Sequence, residues 1–182
     1  TDQILVTMVR DRIFAVTPTE GIVRVDLLAG EEVLSMTSKG LNALALTTGR
    51  LLGFSSQAMR WSELRTDLGE TVTESRVLPR LILVRTDKRL YGFQGPLGRW
   101  KTEDLGVREE VRETLVAENV AVVVTARRAL AFSSFTGGFF QQDLSLDDPV
   151  VESVVNDNVV ILSTATRRWI FRSQLAIWAE LR

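Results

Sequence analysis

Apolar and polar residues alternate with a period of two along most of the chain, in short runs separated by Gly, Pro, Asp and Thr-Gly steps. That pattern predicts strands joined by turns rather than helices. The most apolar runs are Ile4 to Val9, Leu41 to Leu46, Leu81 to Val84, Val120 to Val124 and Val159 to Leu162. Runs apolar at successive positions suit strands covered on both faces. After tight turns at Gly49, Lys88 and Arg127, a second apolar strand follows, ending at Phe54, Phe93 or Phe132. Further strands are predicted from Val33, Val72, Val111 and Val150, and from the aromatics Trp61, Trp100, Phe139 and Trp178. The best helix candidate, Glu109 to Glu118, alternates as a strand does and lies where its counterparts read as strands.

These runs are copies of one unit. Thr86-Asp87-Lys88-Arg89-Leu90-Tyr91-Gly92-Phe93, with Trp100 beyond it, returns as Thr47 to Phe54 with Trp61. It returns again as Thr125 to Phe132 with Phe139, and as Thr164 to Phe171 with Trp178. A weaker first copy runs from Val9 to Val16, with Val23 in the Trp place. The shared arginines Arg12, Arg50, Arg89, Arg128 and Arg167 are 38, 39, 39 and 39 residues apart. A fixed period of this size marks a repeat architecture. Each unit reads as four short strands, A to D, with strand A the one that begins at Val33 and its counterparts.

An apolar strand, Thr-x-x-Arg, a second apolar strand ending in Phe, and then Trp and Leu together resemble the blades of tectonin-, tachylectin- or quinoprotein-like propellers. The resemblance implies an all-β fold: a single five-bladed β-propeller of four-stranded antiparallel blades, with approximate blades 1–29, 30–68, 69–107, 108–146 and 147–182. WD dipeptides and the Trp-Arg signature of quinoprotein blades are absent, and no functional residue carries over. One step back from Val33 falls before Thr1, so the first blade is expected to lack strand A. The reading favours a ring closed by packing of blades 1 and 5, with strand A innermost. The alternative is a monomer that becomes an oligomer through the incomplete first blade.

Composition then narrows the chemistry. The 182 residues carry a net charge of −1, which leaves no electrostatic footprint for nucleic acid. Apolar runs fall far short of the roughly 20 residues of a membrane span. The opening Thr-Asp-Gln shows no initiator Met or signal-peptide core and reads as a processed or excised segment. The compartment stays open. With no cysteine and no histidine, thiolate chemistry, histidine-activated nucleophiles and His- or Cys-ligated zinc are excluded.

Four sets of residues are candidates for binding. Arg50, Arg89, Arg128 and Arg167, with Arg12 of the first copy, could form a ring of guanidinium groups for an anion, or each could pair with an acid of its own or the adjacent blade. Glu74, Glu113 and Glu152 share a place on strand A, where they could hold a cation or act as paired carboxylates, or form salt bridges to the arginines. Trp61, Trp100, Phe139 and Trp178 could stack on sugars, or fill the wedges between blades. Phe135 stands alone, a non-repeated aromatic on a loop beside Gly137 and Gly138. The leading expectation is a non-enzymatic binding or scaffolding module with a protein partner and no cofactor or metal. A carbohydrate-binding propeller is the alternative, and a carboxylate-based glycoside hydrolase the third.

Overall fold

The computed structural model describes residues 4–18, 21–107 and 109–181. Five antiparallel sheets follow one another along the chain. Blade 1 contains β1 (Leu5–Val9), β2 (Arg12–Thr17) and β3 (Gly21–Asp26). Blade 2 contains β4 (Val33–Lys39), β5 (Asn42–Thr47), β6 (Arg50–Ser55) and β7 (Arg60–Arg65). Blade 3 contains β8 (Val72–Val77), β9 (Leu81–Thr86), β10 (Arg89–Gln94) and β11 (Arg99–Asp104), with a single 3-10 turn at Gly95–Leu97. Blade 4 contains β12 (Val111–Val116), β13 (Val120–Thr125), β14 (Arg128–Ser133) and β15 (Phe139–Asp143). Blade 5 contains β16 (Glu152–Val155), β17 (Val159–Ser163), β18 (Arg168–Arg172) and β19 (Ile177–Leu181).

The chain is a five-bladed β-propeller whose first blade has three strands and begins at the second place, as its period requires. Each four-stranded sheet is a plain meander, so every register follows from a hairpin. Within the segment 109–118, residues Val111–Val116 form strand β12, and no helix forms there.

Burial shows why the repeat holds. In blade 2, β5 and β6 are buried along their whole length because both faces are covered. Ala43, Ala45, Leu52 and Phe54 pack against Ile13 and Ala15 of blade 1. Leu44, Leu46 and Leu51 pack against Ile82, Val84, Tyr91 and Phe93 of blade 3. The same arrangement joins blade 3 to blade 4 and blade 4 to blade 5.

Two expectations need correction. Blades 1 and 5 do not close the ring by packing on each other. Leu5 of blade 1 is exposed where its counterparts Ala43 and Ile82 are buried, and Ile161 and Ile170 of blade 5 are only half-buried where Val122 and Ala131 are fully buried. Nor does strand A take the crowded edge. Neighbouring D strands approach one another at all four junctions, whereas A strands do so comparably only between blades 2 and 3. Trp61 and Trp100 donate from their indole nitrogens to Val23 and Ser62 carbonyls on the preceding strand D, which draws those edges together.

Candidate functional site

The arginines sit where strand B turns into strand C. In each of blades 2 to 5 the Thr ending strand B accepts the amide N–H three residues on: Thr47 from Arg50, Thr86 from Arg89, Thr125 from Arg128 and Thr164 from Arg167. The same hydroxyl donates to an acid in the linker before strand A: Glu31, Glu70, Glu109 or Asp148. This acidic column also recurs every 39 residues, two residues ahead of the strand A starts at Val33, Val72, Val111 and Val150 and so outside the repeated motif that drew attention in the sequence.

Arg50 closes the triad. Its Nε and Nη2 donate to the two carboxylate oxygens of Glu31 at 2.9 and 2.5 Å, its Nη1 to Glu63, and its Nη2 also to the Asp26 carbonyl of blade 1. The Arg50 and Glu31 side chains are each only 5% exposed. Hydrogen bonding from Arg50 holds the Glu31 carboxyl at about 2, against an ordinary value of 4.5. Blade 4 repeats the fork: Arg128 donates Nε and Nη2 to Glu109, each at 2.8 Å, and Nη2 to the Asp104 carbonyl of blade 3. Glu109 is likewise held at about 2, chiefly by its hydrogen bond from Arg128.

Blade 3 differs for a visible reason. Leu52 and Leu130 occupy the place of Tyr91, whose hydroxyl donates to Glu70 at 2.7 Å. Burial, followed by the bond to Glu70, pushes the Tyr91 hydroxyl up to about 12. Arg89 then leans to Asp67 at 2.7 Å and Asp104 at 2.8 Å, with Glu70 at 3.7 Å. In blade 5, Asp148 is one methylene shorter. Its oxygens accept from the Thr164 and Thr166 hydroxyls and the Ala165 amide, and Arg167 is exposed with no ion pair among the described residues. The expected pairing with an acid thus describes Arg50, Arg89 and Arg128, but not Arg167.

The glutamates are placed by a β-bulge that recurs at the start of strand A in blades 2 to 4. Each glutamate that has a following blade reaches for it. Glu74 accepts from the Thr114 hydroxyl at 3.0 Å and Glu113 from the Ser153 hydroxyl at 2.8 Å. Glu74 also pairs with Arg76 and Arg85. The Glu152 side chain, on the last blade, is exposed and its carboxylate makes no hydrogen bond or ion pair among the described residues. Among those residues no group of three or more His, Cys, Asp or Glu side chains is arranged to hold a metal ion.

The aromatic column is half-buried. Trp61, Trp100, Phe139 and Trp178 lean on Phe54, Phe93, Phe132 and Phe171 of the adjacent strand, with centroids 4.9–5.3 Å apart. All three indole N–H groups donate to a carbonyl of the preceding blade. Interblade wedges are therefore where these rings sit.

Phe135 lies on the β14–β15 hairpin and is 39% exposed. Its place is taken by Gln57, Pro96 and Gln174 in the other four-stranded blades. The hairpin is fixed from blade 3, where the Gln94 amide donates to the Ser134 and Phe135 carbonyls at 3.0 and 2.9 Å. Gly137 has a φ of +68°, and a Cβ there would lie 2.4 Å from the Gln94 Oε1. The Arg80 guanidinium lies 5.6 Å from the Phe135 ring centroid, and its buried Nε has no hydrogen-bond partner.

No protein-family model matches this chain, and no curated protein matches it. Solved structures overlap it loosely. Hsv2 of Kluyveromyces lactis does so at 12% identity and a TM-score of 0.44, over 99% of this chain and 59% of its own. Prp20p of Saccharomyces cerevisiae does so at 8% identity and a TM-score of 0.46, over 94% and 55%. The N-terminal domain of Nup159 does so at 12% and 0.40, over 98% and 57%. This chain spans under two thirds of the length of each, and such overlaps carry no residue role over to it. Among the described residues no helix is long and apolar enough to cross a membrane.

Proposed function

We propose that this chain is a non-enzymatic binding module that presents a rigidly mounted loop to a protein partner. The observation that carries the reading is Phe135, an exposed aromatic with no counterpart in the repeat, on a hairpin clamped by Gln94. A preorganised aromatic loses little conformational freedom on binding, which is why such groups anchor interfaces. The repeated polar residues support the same reading from the other side. Glu74, Glu113, Arg50 and Arg128 hold neighbouring blades together, so their recurrence has a structural cause. The carbohydrate reading stands behind it, since the indole N–H groups that would orient a sugar already donate to backbone. The hydrolase reading stands third, because Glu74 and Glu113 each accept a hydroxyl from the next blade.

A photo-crosslinking amino acid at position 135, with exposed Lys101 as the control position, tests this in the cells of origin. A discrete protein adduct at 135 and not at 101 is expected. No adduct, or equal adducts at both places, would sink the proposal.

A further inference from the structure

Blades 1 and 5 each present an outward face built like a blade junction. On blade 5, Val154, Ile161, Ile170 and Ala179 lie in register across all four strands. They stand 39 residues after Leu115, Val122, Ala131 and Phe140, the row of blade 4 that packs on blade 5. Val122 and Ala131 are fully buried where Ile161 and Ile170 are half-buried, and Val154 is 53% exposed where Leu115 is half-buried. On blade 1, Leu5, Val16 and Ile22 cross the three strands in register, at the places of Ala43, Phe54 and Trp61 in blade 2. Leu5 and Ile22 are 66% and 67% exposed, where Ala43 is fully buried and Trp61 half-buried. Terminal units of a repeat array ordinarily carry a polar outer face; here an apolar row crosses each face, flanked by Arg168 and Arg172 on blade 5 and by Arg12, Arg24 and Asp26 on blade 1.

The bulk on the two faces is matched. At every inner junction a small residue receives an aromatic of the next blade. Ala15 packs with Phe54, and Ala131 with Phe171. A Cβ on Gly53 would lie 2.8 Å from Phe93 and Trp100, and one on Gly92 would lie 2.4 Å from Phe132. Blade 5 carries Ile170 in that small place, which leaves no room for another aromatic-bearing blade. In register, Ile22 rather than Val23 takes the Trp place, so blade 1 carries Val16 and Ile22 where the other blades carry the Phe and the aromatic. Large faces small at each inner junction, and here the two sides have exchanged roles.

We propose that the outward face of blade 5 docks on the outward face of blade 1 of a second copy of this chain, head to tail. The interface continues the stacking that joins the blades within one chain. The faces are unlike, so the contact is heterologous and each copy keeps one face free for the next.

Sedimentation of the 182-residue chain over a concentration series should show masses rising in whole multiples of 20.4 kDa. Val16→Asp and Ile170→Asp, each checked for an unchanged far-ultraviolet circular dichroism spectrum, should each sediment as single chains. Mixed one to one they should pair once, through the faces left intact. Ile170→Ala alone and Val16→Phe alone should each weaken association at least tenfold. The chain carrying both should recover it, since the pair restores the inner-junction arrangement. A parent chain that stays single at all concentrations overturns the proposal, including the case where protected faces show closure within one chain. Variants that still associate, or a mixture that does not pair, overturn it as well.

Discussion

At the scale of single residues, the Glu31–Arg50 and Glu109–Arg128 forks are the most consequential polar groups in the chain. Both partners of the first are buried, and Arg50 bonds the preceding blade through the Asp26 carbonyl. Removing one side leaves an uncompensated charge out of water, which typically costs about 3–5 kcal/mol. Glu31→Gln is therefore expected to lower the urea unfolding free energy by an amount near that range. Arg167→Ala, at the equivalent but exposed place, should stay within about 0.5 kcal/mol. Equal effects at both positions would show that burial of the fork does not govern its contribution. Acid sensitivity follows from the same groups. Glu31 and Glu109 are held at about 2 in the fold, below their ordinary 4.5. A carboxyl depressed on folding stabilises the native state above its unfolded value, and that contribution drains away as pH falls from about 4.5 towards 2. The parent should lose stability steeply across that window, and Glu31→Gln should flatten the slope. An unchanged slope would remove Glu31 as a source of it.

At the scale of elements, each junction depends on a small residue meeting a large one. Gly92 sits on β10 under the Phe132 ring, and an added Cβ must displace that ring. Overpacking of this kind costs about 1–3 kcal/mol, so Gly92→Ala should destabilise clearly by chemical denaturation. Phe132→Leu leaves a void of its own, but the double variant should cost less than the two singles added, because the smaller side chain makes room for the methyl group. Additive effects would mean that the strain is relieved elsewhere. Such pairings also mark what the sequence discloses. The 39-residue step disclosed blade number, strand order and the short first blade, because strand periodicity and turn residues are local signals. The Phe54–Trp61 and Phe93–Trp100 wedges followed from the same spacing. The acids Glu31, Glu70 and Glu109 carry the period just as plainly but lie in linkers, where no strand pattern draws attention to them. Which edge is crowded, and whether blades 1 and 5 meet, depend on rigid-body angles between sheets, and no window of sequence encodes those. The Phe135 hairpin was legible as an exception to the repeat, while its clamp by Gln94 appears only when two blades are brought together.

At the scale of the whole molecule, stability is distributed along a row of blades that touch only their neighbours, so it approximates a sum of blade and junction contributions. Blades 2, 3 and 4 have both faces covered, and blades 1 and 5 have one. Local opening is cheapest where the fewest apolar contacts break. Amide hydrogen exchange on dilute protein should therefore run slowest in β5, β6, β9, β10, β13 and β14, and faster in β2 and β18 by at least tenfold. Blade 1 should open most readily, because β1 is an edge with no strand A beside it. Uniform protection across all five blades would show that the chain unfolds as one cooperative unit, and that the end faces are already covered in solution. Raising the protein concentration separates these effects. If exposure of the end faces sets the difference, protection of β2 and β18 should climb together towards that of the inner blades, while β5 to β14 stay unchanged. A rise in β18 alone would point instead to a contact that uses only the face of blade 5.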